Sequence, residues 1–564
     1  MHYGRELDCL SCSLETSKLE GVYAPGTPEA LDGGALRGGP PPVYCSAPVL
    51  ALLAQYAAVG IVQGGLASIK YPILTGYFQL EGNVLNSGSA LMSLGWSLKV
   101  FFGLLSDCFP LCGYHRKPYI VLGWLLTAIV LVLVAAKSPG SPAPAADATT
   151  NGAVLTLLCA VACFFFILAD VAQDALLVQY AQREPDAVRG RLQSMVYAVR
   201  ALFMALISLV SGVCLNSTRM AGSFDWDIGV QGFFVLLAVP TVCNVVVASC
   251  YLQDEAKPRV PLSDYGRQLW ALAQKRAVWQ VMIFNFVFML LTSSVGSTAA
   301  PYVALYWAKV ENLNAALLQV VGHVLFAAVL FVMGRYGTHW NWRYVLVVTT
   351  LSANAIDALV QFLTVFDVFR NQWFYLGVPL TEELPKAISF AVGAFVIVEL
   401  AEDGNEGVMY GLLTTVGNLP SVFGGMLTNV MDASLAYDKL RIKADSKDTR
   451  TAVAWSFGLM YATSVVGCMT VLLLPRQKAE VLALKRDGGD YPRVALGIGF
   501  LFVVILATSI TGTMASMFAS TGCHVLAGGR GCVPGTSSHL YLLGIALPAL
   551  LAACLLLVFG VIRR

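Results

Sequence analysis

The sequence predicts an all-α integral membrane protein with about fourteen membrane-spanning helices. Of its 564 residues, 57% are hydrophobic and only 12% are charged. Soluble domains carry about 25% charged residues, so this chain has too little polar surface to cover a water-facing globule. Its apolar residues fall in blocks of about 20, the length that crosses a hydrocarbon core. The net charge of +2 is too small to indicate nucleic acid as a partner.

The apolar blocks mark the expected spans, and a polar segment precedes them. We place the spans near residues 48–70, 86–106, 118–136, 153–179, 190–214, 229–252, 278–306, 314–334, 343–366, 374–400, 408–431, 453–475, 494–517 and 539–562. Residues 1–46 are rich in Gly and Pro and carry more acids than bases. They are therefore expected to form a disordered tail rather than an organellar presequence, which would be poor in acids.

The distribution of Lys and Arg predicts the direction of the spans. If the N-terminus is cytoplasmic, more than twice as many of these residues fall in cytoplasmic segments as in outer loops. By the positive-inside rule, both termini are expected in the cytoplasm, and we expect residence in the plasma membrane. Asn216-Ser217-Thr218 is then a glycosylation-type sequon in an outer loop, or an unused chance match. Cys523 and Cys532 share the last outer loop, where a disulfide is permitted.

The order of the segments indicates internal symmetry. Residues 47–252 and 278–475 each hold six spans, a cytoplasmic linker at 253–277 joins them, and residues 476–564 add two helices. A hydrophilic turn ending in glycine follows the fourth span at 183–190, and a similar turn follows the tenth span at 402–407. Two parallel six-helix repeats around a central cavity are typical of the major facilitator architecture. The sequence therefore predicts a secondary transporter.

A glycine–aspartate segment and a basic segment flank the turn between the second and third spans. Gly103 allows close helix approach, and Asp107 ends the helix. Gly113, Arg116 and Lys117 follow. We interpret these residues as a cytoplasmic gate, in which the acid and the bases form a polar latch. The alternative is a positive-inside loop after a helix-ending acid, which explains the bases but not the whole spacing.

Several motifs carry a family resemblance. They comprise Trp96, Lys99, Gly103, Ser106 and Asp107; Gly113, Tyr114, Arg116, Lys117, Pro118 and Tyr119; Asp170, Val171, Asp174 and Ala175; Gly190, Leu192, Gln193 and Ser194; and Glu406, Gly407, Tyr410, Leu412, Leu413 and Asn418. Together, over about residues 48–475, the chain resembles the folate–biopterin transporter family of the major facilitator superfamily. It departs from the family at Gly95 and Val100, where prolines usually stand, so the local helix shape can differ.

The resemblance implies a role and a set of partners. It implies uptake of folate, biopterin or a related pteridine by alternating access, with coupling to protons. The expected partners are this small-molecule substrate, protons and the lipid bilayer, and neither a cofactor nor a metal is expected. Gln193, Tyr410 and Asn418 join the candidate binding or coupling residues because they fall in the matching motifs.

Charged residues inside the first six spans lie at matched depth. Counting 1.5 Å per residue from the cytoplasmic helix ends puts Lys99 about 12 Å deep, and Asp170 and Arg200 about 15 Å deep. Asp174 is one turn nearer the cytoplasm on the same face as Asp170. A charge at mid-membrane costs about 2.5–3.5 kcal/mol, so it needs a partner, water or a function. The alternatives are an Asp170–Arg200 structural ion pair and, for Asp174, a place in the cytoplasmic latch.

A second set of charges lies in the other half. Asp357 is placed about 21 Å deep and Lys386 about 22 Å deep, and Glu382 and Glu383 precede Lys386 by about one turn. These four are further binding or coupling candidates, with an Asp357–Lys386 structural pair as the alternative. Outside this set, Lys70 is expected to reach the outer surface, and His323 to be a hydrogen-bonded helix contact.

The chemistry of a pteridine suggests roles for the first set of charges. A pterin ring presents adjacent N–H donors that the Asp170 carboxylate can accept together, while Lys99 and Arg200 can balance folate carboxylates. Trp96 is a candidate for stacking on the ring. Alternatives are a carrier for another organic metabolite, such as a sulfonium or nucleoside-like cofactor, a transporter-like sensor, or a multi-span enzyme. Six histidines scattered over tail, loops and helices argue against an enzyme.

Overall fold

A computed structural model describes residues 39–185, 191–256, 259–337, 340–400 and 406–532. Eleven of its helices are long and apolar enough to cross a membrane. Two more, α13 and α14, span 29 and 27 residues. The helices are α1 (Ala47–Ser68), α2 (Gly82–Ser93), α3 (Lys99–Cys108), α4 (Lys117–Ala136), α5 (Ala148–Ala181), α6 (Arg191–Cys214), α7 (Gly229–Tyr251), α8 (Leu262–Gln274), α9 (Arg276–Met289), α10 (Ala300–Tyr302), α11 (Asn312–Arg335), α12 (Trp342–Val365), α13 (Gln372–Leu400), α14 (Glu406–Asp432), α15 (Lys439–Ala444), α16 (Lys447–Met469), α17 (Lys478–Asp487) and α18 (Pro492–Ser516).

Parts of the predicted topology lie outside the described residues. They are the tail before residue 39, the fourteenth span at 539–562, Gly190, and most of the polar turn at 402–407. The count of fourteen spans and the position of the C-terminus therefore stay predictions.

The helices form two bundles with the same internal arrangement. In the first half, α1 packs on α6 and α7, and α4 packs on α5 and α7. In the second half, α9 packs on α14 and α16, and α12 packs on α13 and α16. The halves meet where α6 contacts α11 and where α2 contacts α14.

Glycines permit close packing of α1 on α6. A Cβ at Gly60 of α1 would lie 2.5 Å from the Arg200 carbonyl oxygen, and one at Gly64 would lie 2.7 Å from Ile207. Small residues on one helix let a neighbouring backbone approach closely in a membrane. The two glycines thus fix the distance between α1 and α6, and with it the position of Arg200.

Helix ends alternate between two faces of the molecule. The first face carries the start of α1, the α3–α4 turn and the connector with α8; the second face carries the turns after α1, α4 and α6. The sequence predicts that the first face is cytoplasmic, and this orientation stays a prediction.

Two predicted spans differ from single straight helices. The first continues past Lys70 as a π-helix, Lys70–Tyr77. Lys70 therefore lies about 10 Å before the helix end, not at the outer surface as expected. The span predicted at 278–306 is broken, because α9 ends in a π-turn at Ser294 and α10 begins at Ala300. Asp432 of α14 satisfies the exposed backbone at the break by accepting from the Thr298 N–H at 2.8 Å.

The helix α18 lies outside the two bundles and bridges them. It packs on α14 of the second half and on α2 of the first. Its Ile505 and Leu506 form a small apolar cluster with Leu419, against which Leu94 and Leu98 pack. Those two leucines bracket Trp96, so α18 supports the segment that carries this tryptophan.

The halves are hydrogen-bonded to each other at the second face. Tyr302 Oη donates to the Leu80 carbonyl and Tyr71 Oη to the Val310 carbonyl. Asn312 Nδ2 donates to the Ser211 and Leu215 carbonyls, at 3.1 and 3.0 Å. These bonds bring α1, α2 and α6 against α10 and α11 and close this face.

Two expectations for the outer loops have different outcomes. Cys523 and Cys532 form a disulfide. The Asn216 side chain is fully buried, and its Oδ1 accepts from the Leu313 N–H at 3.0 Å. A glycan on Asn216 would break this contact between the halves, so the reading of this sequon as a glycosylation site is wrong for this conformation.

Candidate functional site

A break in the second span positions the first candidate residues. Helix α2 ends at Ser93, a 3₁₀ segment covers Leu94–Leu98 with Trp96 inside it, and α3 begins at Lys99. The Val100 N–H donates to Thr415 Oγ1 on α14 at 2.9 Å. Asn418 Nδ2 on the same helix donates weakly to the Trp96 carbonyl, at 3.4 Å. Asn418 thus contacts the backbone of the break from the opposite half.

Four charged side chains meet beside this break. Lys99 Nζ lies 3.6 Å from Asp170 Oδ2 and 3.6 Å from Asp174 Oδ2. Arg200 Nη1 lies 3.6 Å from Asp170 Oδ1. We call Lys99, Asp170, Asp174 and Arg200 the central quartet. Depth matching placed Lys99, Asp170 and Arg200 in one layer, and the structure brings their side chains together.

The central quartet is buried and formally neutral. Asp170 is fully buried, and the side chains of Lys99, Asp174 and Arg200 are 10%, 19% and 17% exposed. Two acids balance two bases. Asp170 Oδ2 nevertheless has no hydrogen-bond partner among the described residues. A buried carboxylate oxygen that has a cation at 3.6 Å but no donor is able to accept one from a ligand.

Two neutral residues of α1 complete this site, and the sequence reasoning missed both. Tyr56 Oη donates to Asp174 Oδ1 at 2.6 Å, and Arg200 Nη2 donates to Gln63 Oε1 at 2.5 Å. Asp174 therefore belongs to the central quartet and not to the cytoplasmic latch, which was its structural alternative. The available signal was the spacing of Tyr56 and Gln63, because polar residues seven apart share a helix face.

The aromatic candidates differ in their surroundings. Lys99 Nζ lies 4.6 Å from the Trp96 ring centroid, and the Arg200 guanidinium lies 5.5 Å from it. Trp96 therefore holds the two cations of the central quartet in cation–π contact. Tyr410 of α14 is 44% exposed. Gln193 is hydrogen-bonded to Tyr197, whose ring packs edge-on against Tyr56 at 5.9 Å.

The charges of the second half are arranged differently. Lys386 Nζ pairs with Glu382 at 3.1 Å and with Glu383 at 3.3 Å, all within α13. Asp357 instead accepts from Tyr461 Oη at 2.7 Å. The alternative of an Asp357–Lys386 ion pair is wrong, because both groups have other partners.

His323 lies next to this second set of charges. Its neighbour Gly322 on α11 packs against Glu383, since a Cβ at Gly322 would lie 3.4 Å from Glu383 Cγ. His323 Nε2 is buried and has no hydrogen-bond partner in the described part of the chain. The expectation of a hydrogen-bonded helix contact is not met at this nitrogen.

The gate residues form a connected cluster at the first face. Arg116 pairs with Asp107 and also donates to Ser106 Oγ. The Asp254 carboxylate, in the connector before α8, accepts from the N–H groups of Arg116 and Lys117 at 2.8 and 3.0 Å.

The turn and the connector complete the gate cluster. Gly113 has a φ of +83°, a left-handed conformation that favours glycine. A Cβ at Gly103 would lie 3.6 Å from Tyr265 Oη of α8. Lys117 contributes its backbone N–H to this cluster, and Arg116 contributes its side chain.

Comparisons with known proteins agree with this architecture. A family model described as the BT1 family matches residues 60–473. The chain is 25% identical over 397 residues to the folate-biopterin transporter of Synechocystis sp., covering 68% of this chain and 74% of the relative. It is 21% identical over 373 residues to folate transporter 1 of Plasmodium falciparum, covering 65% and 69%.

Solved structures show the fold. A D-xylose-proton symporter superposes with a TM-score of 0.53 at 12% identity, covering 76% of this chain and 97% of the symporter. A peptide transporter in complex with sulfate gives a TM-score of 0.53 at 11% identity, covering 77% and 97%. This chain is a multi-pass membrane protein with the major facilitator fold.

Proposed function

The chain belongs to the BT1 family, and from that premise we propose that it is a secondary carrier of folate, biopterin or a related pteridine, coupled to protons. The relatives named above as folate or folate-biopterin transporters support this substrate class. The observation that carries the proposal is the central quartet, a buried charged site between α1, α3, α5 and α6.

The geometry of the central quartet suits a pterin ring. Asp170 Oδ2 has no donor, and the adjacent N–H groups of a pterin can supply one to each carboxylate oxygen. Tyr410 is exposed for stacking. A ligand that bonds to Asp170 would weaken the pull of this carboxylate on Lys99 and Arg200. The two cations are then available for acceptor atoms of the same ligand.

Alternating access follows from how the halves meet. The described inter-half hydrogen bonds at the second face support a state that is closed there. Rocking of the halves would break those bonds and close the first face instead. We assign the Asp107–Arg116 latch to the control of this equilibrium, because it lies at the first face beside the connector.

The second half offers a place for the coupled proton. Glu382 and Glu383 pair with one base, Lys386, and a third acid, Asp357, interacts electrostatically with Glu382. A proton bound there would reduce the excess of negative charge within the membrane, where an unbalanced charge is costly.

Uptake experiments test the proposed function. Cells expressing the full chain should accumulate labelled folate or biopterin, faster with an inward proton gradient and slower with a protonophore. Competition by unlabelled pteridines, nucleosides and sulfonium compounds identifies the substrate class. Accumulation of none of the pteridines by protein that reaches the plasma membrane would exclude the proposal. Tags at the two termini, probed from either side, test their proposed cytoplasmic position.

A further inference from the structure

A second cavity, with several polar side chains in its wall, lies between the halves, nearer the second face than the central quartet. Its volume is about 280 Å³, and helices α1, α6 and α11 contribute its walls. The polar residues that line it include Ser68, Lys70, Ser208, Ser211, Asn312 and Gln319. We call this cavity the Lys70 pocket. Lys70 is the charged residue of its lining.

Lys70 differs from the other cations inside the described spans. Lys99, Arg200 and Lys386 each have a carboxylate within 4 Å. Among the described residues, the Lys70 ammonium has neither an ion pair nor a hydrogen bond, and the Lys70 side chain is half-buried. A cation inside a membrane span requires water or a counter-charge.

A hydroxyl in the same pocket lacks an acceptor. Ser211 is 1% exposed, and its Oγ has no hydrogen-bond partner among the described residues. Ser208 Oγ lies 3.4 Å from Ser68 Oγ, which donates to the Gly64 carbonyl. An unsatisfied hydroxyl donor beside an uncompensated cation is complementary to an anion.

The Lys70 pocket is aligned with the central quartet along α1. Tyr56, Gln63 and Lys70 are seven residues apart, so they share one helix face. Tyr56 bonds to Asp174 and Gln63 bonds to Arg200. Lys70 continues this row about 10 Å beyond Gln63, two helical turns further.

We propose that the Lys70 pocket binds the carboxylate of a ligand whose ring lies against the central quartet. This inference rests on the proposed pteridine transport and makes it more specific. The central quartet is neutral, so it offers no net positive charge to an anionic ligand, whereas Lys70 does. The volume is just below the roughly 300–1,000 Å³ of whole-ligand sites, which suits one end of a longer ligand. Folate carries carboxylates at the end of its spacer, and biopterin has none.

Two Lys70 variants test this assignment in the full-length chain. Lys70→Met removes the charge at similar length, and Lys70→Arg keeps it. With surface expression measured, K70M should raise the half-saturation concentration for folate about tenfold and leave that for biopterin within about twofold. K70R should stay near wild type for both. An equal loss for folate and biopterin would overturn the proposal.

A fragment of folate that lacks the ring tests the Lys70 pocket independently of the proposed transport function. p-Aminobenzoylglutamate has the carboxylates but no pteridine ring, and its binding to purified protein needs no transport. This compound should bind to the wild-type protein, and Ser211→Ala should raise its dissociation constant. K70M should raise the dissociation constant at least about tenfold over wild type. Equal binding to wild type and K70M would overturn the Lys70 pocket even if pteridines are transported.

A free inorganic anion is the other source of the same charge. Replacing chloride by gluconate during folate and biopterin uptake distinguishes the two sources. No change in either half-saturation concentration supports the ligand carboxylate. If the half-saturation concentrations of both substrates depend on chloride in wild type but not in K70M, the pocket binds a free anion, and the proposal is overturned.

Discussion

The two halves of this protein bury their charges in different ways. In the first half, the charges come from α3, α5 and α6, and each ion pair joins two helices. In the second half, Lys386 pairs with Glu382 and Glu383 of its own helix, and the side chains of Lys386 and Glu382 are 45% and 46% exposed. The first arrangement ties three helices together, whereas the second leaves α13 free of charged ties to its neighbours among the described residues.

This difference suggests a division of labour. The central quartet is neutral, buried and held by neutral partners on α1, which suits a preorganised binding site. The second-half cluster has more acids than bases and pairs them locally. A local pair can change its protonation without separating two helices. We therefore assign recognition to the first half and coupling to the second.

The largest expected effect comes from Asp170→Asn. This change keeps the shape but leaves Lys99 and Arg200 without their shared counter-charge. Breaking a buried pair costs about 3–5 kcal/mol, so uptake per surface molecule should fall about 100-fold or more. Asp147→Asn, at the exposed start of the same helix, is the matched control and should transport normally.

A double-mutant cycle decides between binding and a structural pair. If Asp170 only balances Arg200, combining Asp170→Asn with Arg200→Gln should restore much of the activity that each single change loses. If Asp170 binds the ring, the double variant stays inactive. Strong recovery of uptake in the double variant would show that the charges of the first half, like those of the second, form structural ion pairs and do not bind the ring.

Breaking the gate should produce the next largest effect. Arg116→Gln removes the charged partner of Asp107, and a charge-assisted hydrogen bond contributes about 1.5–3 kcal/mol. We expect the maximal rate to fall about tenfold, with little change in half-saturation, because the latch biases the conformational equilibrium. Arg267→Gln, in the exposed pair with Asp264 on α8, is the control. An unchanged maximal rate with a large rise in half-saturation would place Arg116 in binding instead.

The second-half cluster should affect coupling more than exchange. Glu383→Gln removes one of the acids around Lys386 without changing the first half. Gradient-driven uptake should fall at least about fivefold, because typical coupling free energies correspond to factors of about five or more. Exchange of internal for external substrate should stay near wild type. The control is Glu480→Gln, in an exposed pair on α17. Loss of exchange in step with uptake would contradict the division between the halves.

Helix depth was the part of the site that could be predicted from sequence. Asp170 and Arg200 meet because consecutive antiparallel helices bring equal depths side by side, and Lys99 of α3 contacts Asp170 from a similar depth. The same counting failed for Asp357 and Lys386. Depth does not fix the direction in which a side chain points, and an acid one turn away on the same helix satisfies a lysine first.

The helix breaks were harder to predict. The second span breaks at Leu94–Leu98 without a proline. Its causes are contacts distant in sequence, since Gly95 packs so close to Ile167 that a Cβ would lie 2.6 Å from it, and Thr415 takes the freed Val100 N–H. Tyr56 and Gln63 were missed because their seven-residue spacing, the available signal, does not mark a neutral side chain as functional until its charged partner is known.

The smallest expected effect concerns loops that correspond in the two halves. After α6, Arg219 holds Asp227 with bonds of 2.7 and 2.5 Å, and this pairing lowers the pKa of the Asp227 carboxyl. After α15, burial raises the pKa of Asp445, but hydrogen bonds from Arg370 and Arg450 outweigh it and lower the pKa to about 2. The second half thus uses two arginines where the first half uses one.

Asp445→Asn tests whether this clamp stabilises the second half without serving transport. Because the folded pKa is lowered, the stabilisation is present above the unfolded pKa of about 3.9 and is lost as the pH falls through about 2. The variant should lose roughly 1 kcal/mol of stability, which for a chain of this length is a Tm decrease of about 1 °C. The decrease should be constant from pH 5 to 8 and should shrink towards pH 3. Asp438→Asn keeps its helix cap and is the control, because asparagine caps as well as aspartate. Uptake should stay near wild type in both variants. A marked loss of uptake in Asp445→Asn alone would show that this clamp at the second face takes part in transport.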